Sequence, residues 1–174
     1  NYRIAYNIHA TTGILFNHES EFRGKEFVTR KISSWLSEIK KGKKDAIPLG
    51  SLNSSRDWGY APEYVNAMQL IINEDNPDDY VVSTNTNYTV KQFLEWCCNE
   101  LNYDVEFVGS GVNEECYDKK TGLKIAYVDK KYFRPSDVKN MLGSFKKINK
   151  NLNWAPKIFA KDIAKIMINY DYKK

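Results

Sequence analysis

No stretch of the 174 residues approaches the roughly 18 apolar residues of a membrane span, and no signal-peptide pattern is present. Cysteines number only three, Cys97, Cys98 and Cys116, with no C-x-x-C pair. The two histidines, His9 and His18, do not complete a zinc site with them, so no metal centre is expected. An odd cysteine count argues for free thiols and a reducing, cytoplasmic compartment. Glycine-rich turns of the G-x-G-x-x-G or G-x-x-G-x-x-G kind are absent, so nothing here cradles a dinucleotide pyrophosphate at a helix start. Lysine runs such as Lys40, Lys41, Lys43 and Lys44 are short and scattered, without the basic stripe and interleaved aromatics of a nucleic-acid binder. The net charge of +4 suits a small anion such as a nucleotide.

What is present reads as alternating helices and short strands. Asn1 to Asn7 resembles the tail of a helix. Thr11 to Phe16 ends in Ile14-Leu15-Phe16, an apolar run expected to form a strand buried on both faces, as in a parallel sheet. Val28, Ile32, Trp35, Leu36 and Ile39 recur at spacings of three and four, which predicts a helix over 26–41 closed by Gly42. Pro62 opens a second helix running to Asn73, with Val65, Met68 and Ile72 on one face. Tyr80 to Thr84 reads as a strand. Thr89 and Gln92 form a capping box for a helix with Val90, Phe93, Leu94, Cys97 and Leu101 on its apolar side. Residues 105–134 read as strand and hairpin with a loop over 113–121, and a last helix spans 159–170. The order is α/β. A sheet that begins with a buried strand lacks a neighbour, which suggests a chain truncated upstream.

Three constellations carry chemistry. Phe16-Asn17-His18-Glu19-Ser20 follows the first apolar run, and ligands of open α/β sheets sit beyond the carboxyl ends of strands. The same pattern suits an ordinary polar turn. In Ser55-Arg56-Asp57-Trp58-Gly59-Tyr60, Arg56 offers a planar fork matched to phosphate, Asp57 could steady that fork, and Gly59 allows close backbone approach. The alternative is a surface ion pair beside a buried Trp. In Lys131-Tyr132-Phe133-Arg134-Pro135-Ser136-Asp137, Arg134 could grip a diphosphate and Asp137 a ribose diol, or Asp137 could sit near a helix start.

Together these segments resemble GDP-mannose 4,6-dehydratases of the extended short-chain dehydrogenase group. The residues that carry the resemblance are Ala10 to Arg30 with F-N-H-E-S, Leu49-Gly50-Ser51-Leu52-Asn53 with R-D-W-G, Tyr132 to Pro135, and Leu152-Asn153-Trp154-Ala155-Pro156. The resemblance implies the carboxyl-terminal portion of an NAD(P)-binding Rossmann-type fold with its smaller mixed α/β substrate-binding domain. Residues 1–25 would close the cofactor domain. Residues 26–174 would be mostly the sugar-nucleotide domain, returning to the Rossmann part near 45–85. The implied reaction converts GDP-mannose to GDP-4-keto-6-deoxymannose with NADP, a hydro-lyase step towards GDP-fucose.

Carried over by position, His18 and Arg23 are expected to contact the cofactor. Asn17, Val28, Lys31, Arg56, Arg134 and Asp137 are expected to contact the GDP-sugar. The family's Y-x-x-x-K base, with its threonine and glutamate, falls upstream of Asn1. No catalytic residue is therefore expected in this chain, and its partners should be the amino-terminal half and, in the complete enzyme, further copies of itself. Tyr127/Lys131 and Tyr170/Lys174 have the spacing but neither suits the role, the first in an alternating segment and the second at a fraying end. Two departures stand out: Glu21-Phe22 replaces Pro-Arg in a loop expected to touch another subunit, and Asp137 replaces Glu. Rival readings are another nucleotide-sugar epimerase or reductase, and a non-catalytic nucleotide-binding module.

Overall fold

A computed structural model describes residues 1–134, 138 and 140–174. Helix α1 (Tyr2–Tyr6) leads through a left-handed Asn7 to strand β1 (Thr12–Leu15) and its continuation β2 (Asn17–Glu19). Helix α2 (Val28–Lys40) follows, then β3 (Ile47–Leu49), β4 (Ser55–Arg56), β5 (Trp58–Tyr60) and α3 (Ala61–Ile72). Strand β6 (Asp79–Val82), β7 (Tyr88–Thr89), α4 (Val90–Glu100), β8 (Val105–Val108), β9 (Glu115–Asp118) and β10 (Lys124–Val128) come next. Helices α5 (Lys146–Leu152) and α6 (Ala160–Lys173) complete the chain.

The line β1–β2 changes partner along its length. Thr12 to Leu15 pair in parallel with Asp79 to Val82, and Asn17 to Glu19 pair in parallel with Trp58 to Tyr60. Elsewhere β3-β10-β9-β8 form a four-stranded mixed sheet, and β4 pairs antiparallel with β7.

The larger core lies between α2, α4, α6 and the mixed sheet, where Ile32, Leu36, Phe93, Leu94, Ile125, Ile163 and Met167 are fully buried. Each such side chain contributes about 1.5–3 kcal/mol on leaving water. Arg30 and Asp171 join α2 to α6 as a buried pair at 2.8 Å, and the Ser33 hydroxyl donates to the same carboxylate oxygen. The smaller core gathers Tyr64, Ile71, Tyr80, Val82, Ile148 and Trp154 around α3 and β6.

Most expected elements are present. Gly42 takes a left-handed φ of 69°, and its N–H returns to the Ile39 carbonyl, ending α2 as anticipated. The Thr89/Gln92 capping box opens α4, and Cys97 is a buried free thiol whose pKa burial pushes upward. Three readings need correction. Strand β1 is parallel but not buried on both faces, since Thr12, Gly13 and Ile14 are exposed. On α3 the buried residues are Tyr64, Ala67 and Ile71, while Val65, Met68 and Ile72 lie exposed. Strand β9 occupies part of the segment expected to be a loop, because Cys116 and Asp118 alternate inward. Helix α5 had no expected counterpart.

Candidate functional site

The carboxyl end of β1 opens into a cleft of about 440 Å³ lined by Ile14, Leu15, Phe16, Asn17, His18, Arg23 and Met141. Asn17 and His18 reach it because β2 continues β1 after the change of partner at Phe16. The His18 ring lies 5.0 Å from the Tyr64 ring, and its Nδ1 is 2.9 Å from the Phe16 carbonyl. Arg23 arrives from the loop before α2. Its guanidinium lies over the Phe27 ring at 3.6 Å, and its Nε is 3.4 Å from Glu19 Oε2.

Glu19 is nearly fully buried and also accepts the Thr29 hydroxyl at 2.6 Å. Burial raises its pKa; the Thr29 bond and the Arg23 charge only partly offset that. Sequence reasoning placed Glu19 in the motif without assigning it this tether. The available signal was a carboxylate four positions before an arginine.

Arg56 stands on β4, partly buried. Its Nη1 donates to the Ser55 carbonyl at 2.8 Å and to the Val138 carbonyl at 2.6 Å. Ser55 is bridged to Asn140, and the Asn87 amide donates to the Asn140 side chain. Asp57 does not hold the Arg56 fork. It is wholly buried and accepts the Thr84 N–H and hydroxyl on Oδ1, and the N–H groups of Asn85 and Gly143 on Oδ2. Asp57 lies between β4 and β5, and both of its carboxylate oxygens are taken by these other donors. Gly59 does grant a close approach, but to its own chain, since a Cβ there would lie 2.1 Å from Tyr64 Cε2.

Lys31, one turn into α2, sends its ammonium to the Pro48 carbonyl and over the Tyr132 ring at 3.9 Å. Its pKa is lowered, first by burial and then by Lys131, against the opposing pull of Asp129. Val28, at the start of α2, is half-buried against the larger core. Arg134 is exposed; nearby in sequence, Tyr132 lies under the Lys31 ammonium and the Val138 carbonyl accepts from Arg56. Asp137 lies outside the described residues. The structure thus gathers Asn17, His18 and Arg23 in one cleft, while Lys31 reaches Tyr132 and Arg56 reaches Val138.

Among the described residues no cluster of His, Cys, Asp and Glu could hold a metal ion, and no helix is long and apolar enough to cross a membrane. Tyr170 and Lys174 meet only as an ammonium 4.4 Å from a ring centre at the end of α6.

Comparison with known proteins agrees with this architecture. The family model for GDP-mannose 4,6 dehydratase matches residues 1–167. GDP-mannose 4,6-dehydratase of Sinorhizobium fredii is 43% identical over 171 residues, 98% of this chain and 49% of that protein. GDP-mannose 4,6 dehydratase 1 of Arabidopsis thaliana is also 43% identical, over 98% of this chain and 43% of its own length. The chain therefore spans about half the length of the curated relatives it matches.

Among solved structures, RMD from Pseudomonas aeruginosa complexed with NADPH aligns with a TM-score of 0.79 and 14% identity, over 99% of this chain and 51% of its own. The dTDP-glucose 4,6-dehydratase of Bacillus anthracis with NAD aligns at 0.71 and 13%, over 99% and 48%. These likenesses show the mixed α/β fold of the extended short-chain dehydrogenases. By the family model and by its relatives, the chain belongs to the GDP-mannose 4,6-dehydratase family.

Proposed function

We propose that this chain carries the sugar-nucleotide-binding part of a GDP-mannose 4,6-dehydratase, an NADP-dependent hydro-lyase that forms GDP-4-keto-6-deoxymannose. One observation carries the reading most: Asn17, His18 and Arg23 share a cleft at the carboxyl end of β1, where open α/β sheets bind their ligands.

The residues present suit a nicotinamide dinucleotide. Arg23 Nε is buried without a hydrogen-bond partner, Glu19 holds the guanidinium, and the neighbouring cleft offers Asn17 and His18. In this reading His18 and Arg23 hold the cofactor, which supplies hydride acceptance and return when bound. Arg56 and Arg134 hold the GDP diphosphate by charge-assisted bonds. Asn17, Val28, Lys31 and Asp137 complete the sugar-nucleotide contacts. Val28 contributes apolar surface, because its side chain already leans on the larger core. Residues 1–25 form the end of the cofactor domain. Residues 26–174 form mostly the sugar-nucleotide domain, with 45–85 returning to the first.

The 174 residues include no Gly-rich loop and no well-placed Tyr/Lys pair. The chain alone is therefore expected to bind GDP without converting GDP-mannose. Titration of the purified chain with GDP and UDP, followed by incubation with GDP-mannose and NADP, tests both points. Preference for GDP without turnover is the expected result. Equal affinity for both nucleotides counts against the sugar-nucleotide assignment, and turnover counts against the division of labour.

A further inference from the structure

His18 stands on β2 opposite Gly59 of β5, in parallel register. Its Nδ1 is 2.9 Å from the carbonyl of Phe16, at the junction of β1 and β2. A carbonyl oxygen can only accept, so Nδ1 carries the proton and donates. In the neutral imidazole the other nitrogen, Nε2, is then a bare acceptor. No hydrogen bond to Nε2 is made among the described residues. The ring lines the cleft at the carboxyl end of β1 with Asn17 and Arg23.

The ring is held from the side as well. The Tyr64 ring lies 5.0 Å away with its plane tilted by 30°. Tyr64 is wholly buried in the smaller core, with the Trp154 ring edge-on at 6.1 Å. Trp154 is fixed in turn, its Nε1 donating to the Glu63 carbonyl at 3.1 Å. Gly59, the register partner of His18, leaves the room: a Cβ there would meet Cε2, Cζ and the hydroxyl oxygen of Tyr64 within 2.6 Å. The Tyr64 hydroxyl is buried without a hydrogen-bond partner among the described residues, so the ring is the part that acts on His18.

We propose that His18 reads an uncharged hydrogen-bond donor of the ligand, a hydroxyl or a primary amide, through the lone pair of Nε2, and that Tyr64 is the positioning residue that holds the ring for it. A phosphate group brings lone pairs to a lone pair and is rejected at this atom. Arg23, on the same cleft, already supplies the positive charge that an anionic group needs. The two side chains therefore read different chemistry, Arg23 charge and His18 a neutral donor. A nicotinamide dinucleotide offers such donors in its ribose hydroxyls and its carboxamide, and a sugar nucleotide offers hydroxyls. The choice of the dinucleotide rests on the function proposed above; the tautomer of His18 and the part played by Tyr64 do not.

Nitrogen-15 spectra of the imidazole in this chain, recorded at about pH 8.5 where an ordinary histidine is neutral, read the tautomer directly. His9→Gln leaves His18 as the one histidine and serves as the parent. A single Nδ1–H form is expected. Tyr64→Phe keeps the ring and should keep that form, whereas Tyr64→Leu should bring in the Nε2–H form. A parent that is mainly Nε2–H overturns the proposal. An unchanged single form in a folded Tyr64→Leu overturns the role of Tyr64, since the Phe16 carbonyl would then orient the ring alone. Should Tyr64→Leu not fold, Tyr64→Phe and the parent still decide, because a changed tautomer in Tyr64→Phe would assign the effect to the hydroxyl.

NADP, GDP-mannose and inorganic phosphate are then added separately to the parent. NADP should shift the Nε2 resonance while Nδ1 stays protonated, and phosphate should shift neither. A response to GDP-mannose but not to NADP keeps the donor chemistry and removes the cofactor contact from the proposed function. A response to phosphate alone, or to none of the three, refutes the reading of Nε2.

Discussion

The ammonium of Lys31 lies 3.9 Å from the centre of the Tyr132 ring, joining the first turn of α2 to a stretch a hundred positions further along the chain. Cation–π contacts of this kind contribute about 0.5–1 kcal/mol at partly exposed sites. Tyr132→Phe is expected to keep urea stability unchanged, and Tyr132→Ala to lower it by about that amount. Equal losses for both variants would assign the effect to the hydroxyl.

Arg56 holds the Val138 carbonyl and is also the proposed diphosphate ligand. Charge-assisted bonds are worth about 1.5–3 kcal/mol, so Arg56→Ala should weaken GDP binding by roughly ten- to a hundredfold. Arg56→Lys should recover part of that loss, because an ammonium cannot supply a two-pronged grip. Calorimetric titration measures it. Unchanged GDP affinity in Arg56→Ala would leave Arg56 with a structural role, as a clasp that includes the Val138 carbonyl.

Asp57 makes a different prediction, of stability before binding. Asp57→Ala leaves four donors from three residues without their acceptor, and unfolding free energy should fall by about 2–4 kcal/mol. Asp57→Asn keeps one acceptor oxygen and should lose less. A loss below about 1 kcal/mol for the alanine variant in urea titration would show that water replaces the carboxylate.

Glu19 sets a pH dependence. Its folded pKa is raised above the ordinary 4.5, chiefly by burial, so the unfolded chain gives up its proton first. Its contribution to stability is fully present below about pH 4.5 and declines as pH rises through the folded value. Glu19→Gln, which cannot ionise, should therefore be more stable than the parent at pH 7 and show a flatter profile from pH 4.5 upward. Urea midpoints across that range check it; a variant less stable than the parent at pH 7 would mean that ion pairing with Arg23 outweighs burial.

Local signals in the sequence carried over well where one residue type has one physical use. Gly42, the Thr89/Gln92 box and the apolar side of α4 are of that kind. The face of α3 was not legible, because Val65/Met68/Ile72 and Tyr64/Ala67/Ile71 both recur at helical spacing. Only the position of β6 and Trp154 makes the second set the buried one. For β1, an apolar run implies burial, but Thr12, Gly13 and Ile14 are exposed, and the run itself does not tell which faces are covered. In the site, motif order located Asn17 and His18 near one strand end, and the family resemblance added Arg23. The partners of Asp57 lie 27, 28 and 86 positions away, and no spacing rule reaches that far.

The most direct test of the account is turnover by the fusion of this chain with the unmatched part of the S. fredii relative. Mass spectrometry of GDP-mannose incubated with the fusion and NADP should show loss of one water from the sugar nucleotide. Arg56→Ala in the same fusion should lower kcat/KM at least about tenfold. A folded fusion that binds NADP and leaves GDP-mannose intact, beside a fully active S. fredii parent, would contradict the assignment of this chain as the sugar-nucleotide half of a GDP-mannose 4,6-dehydratase.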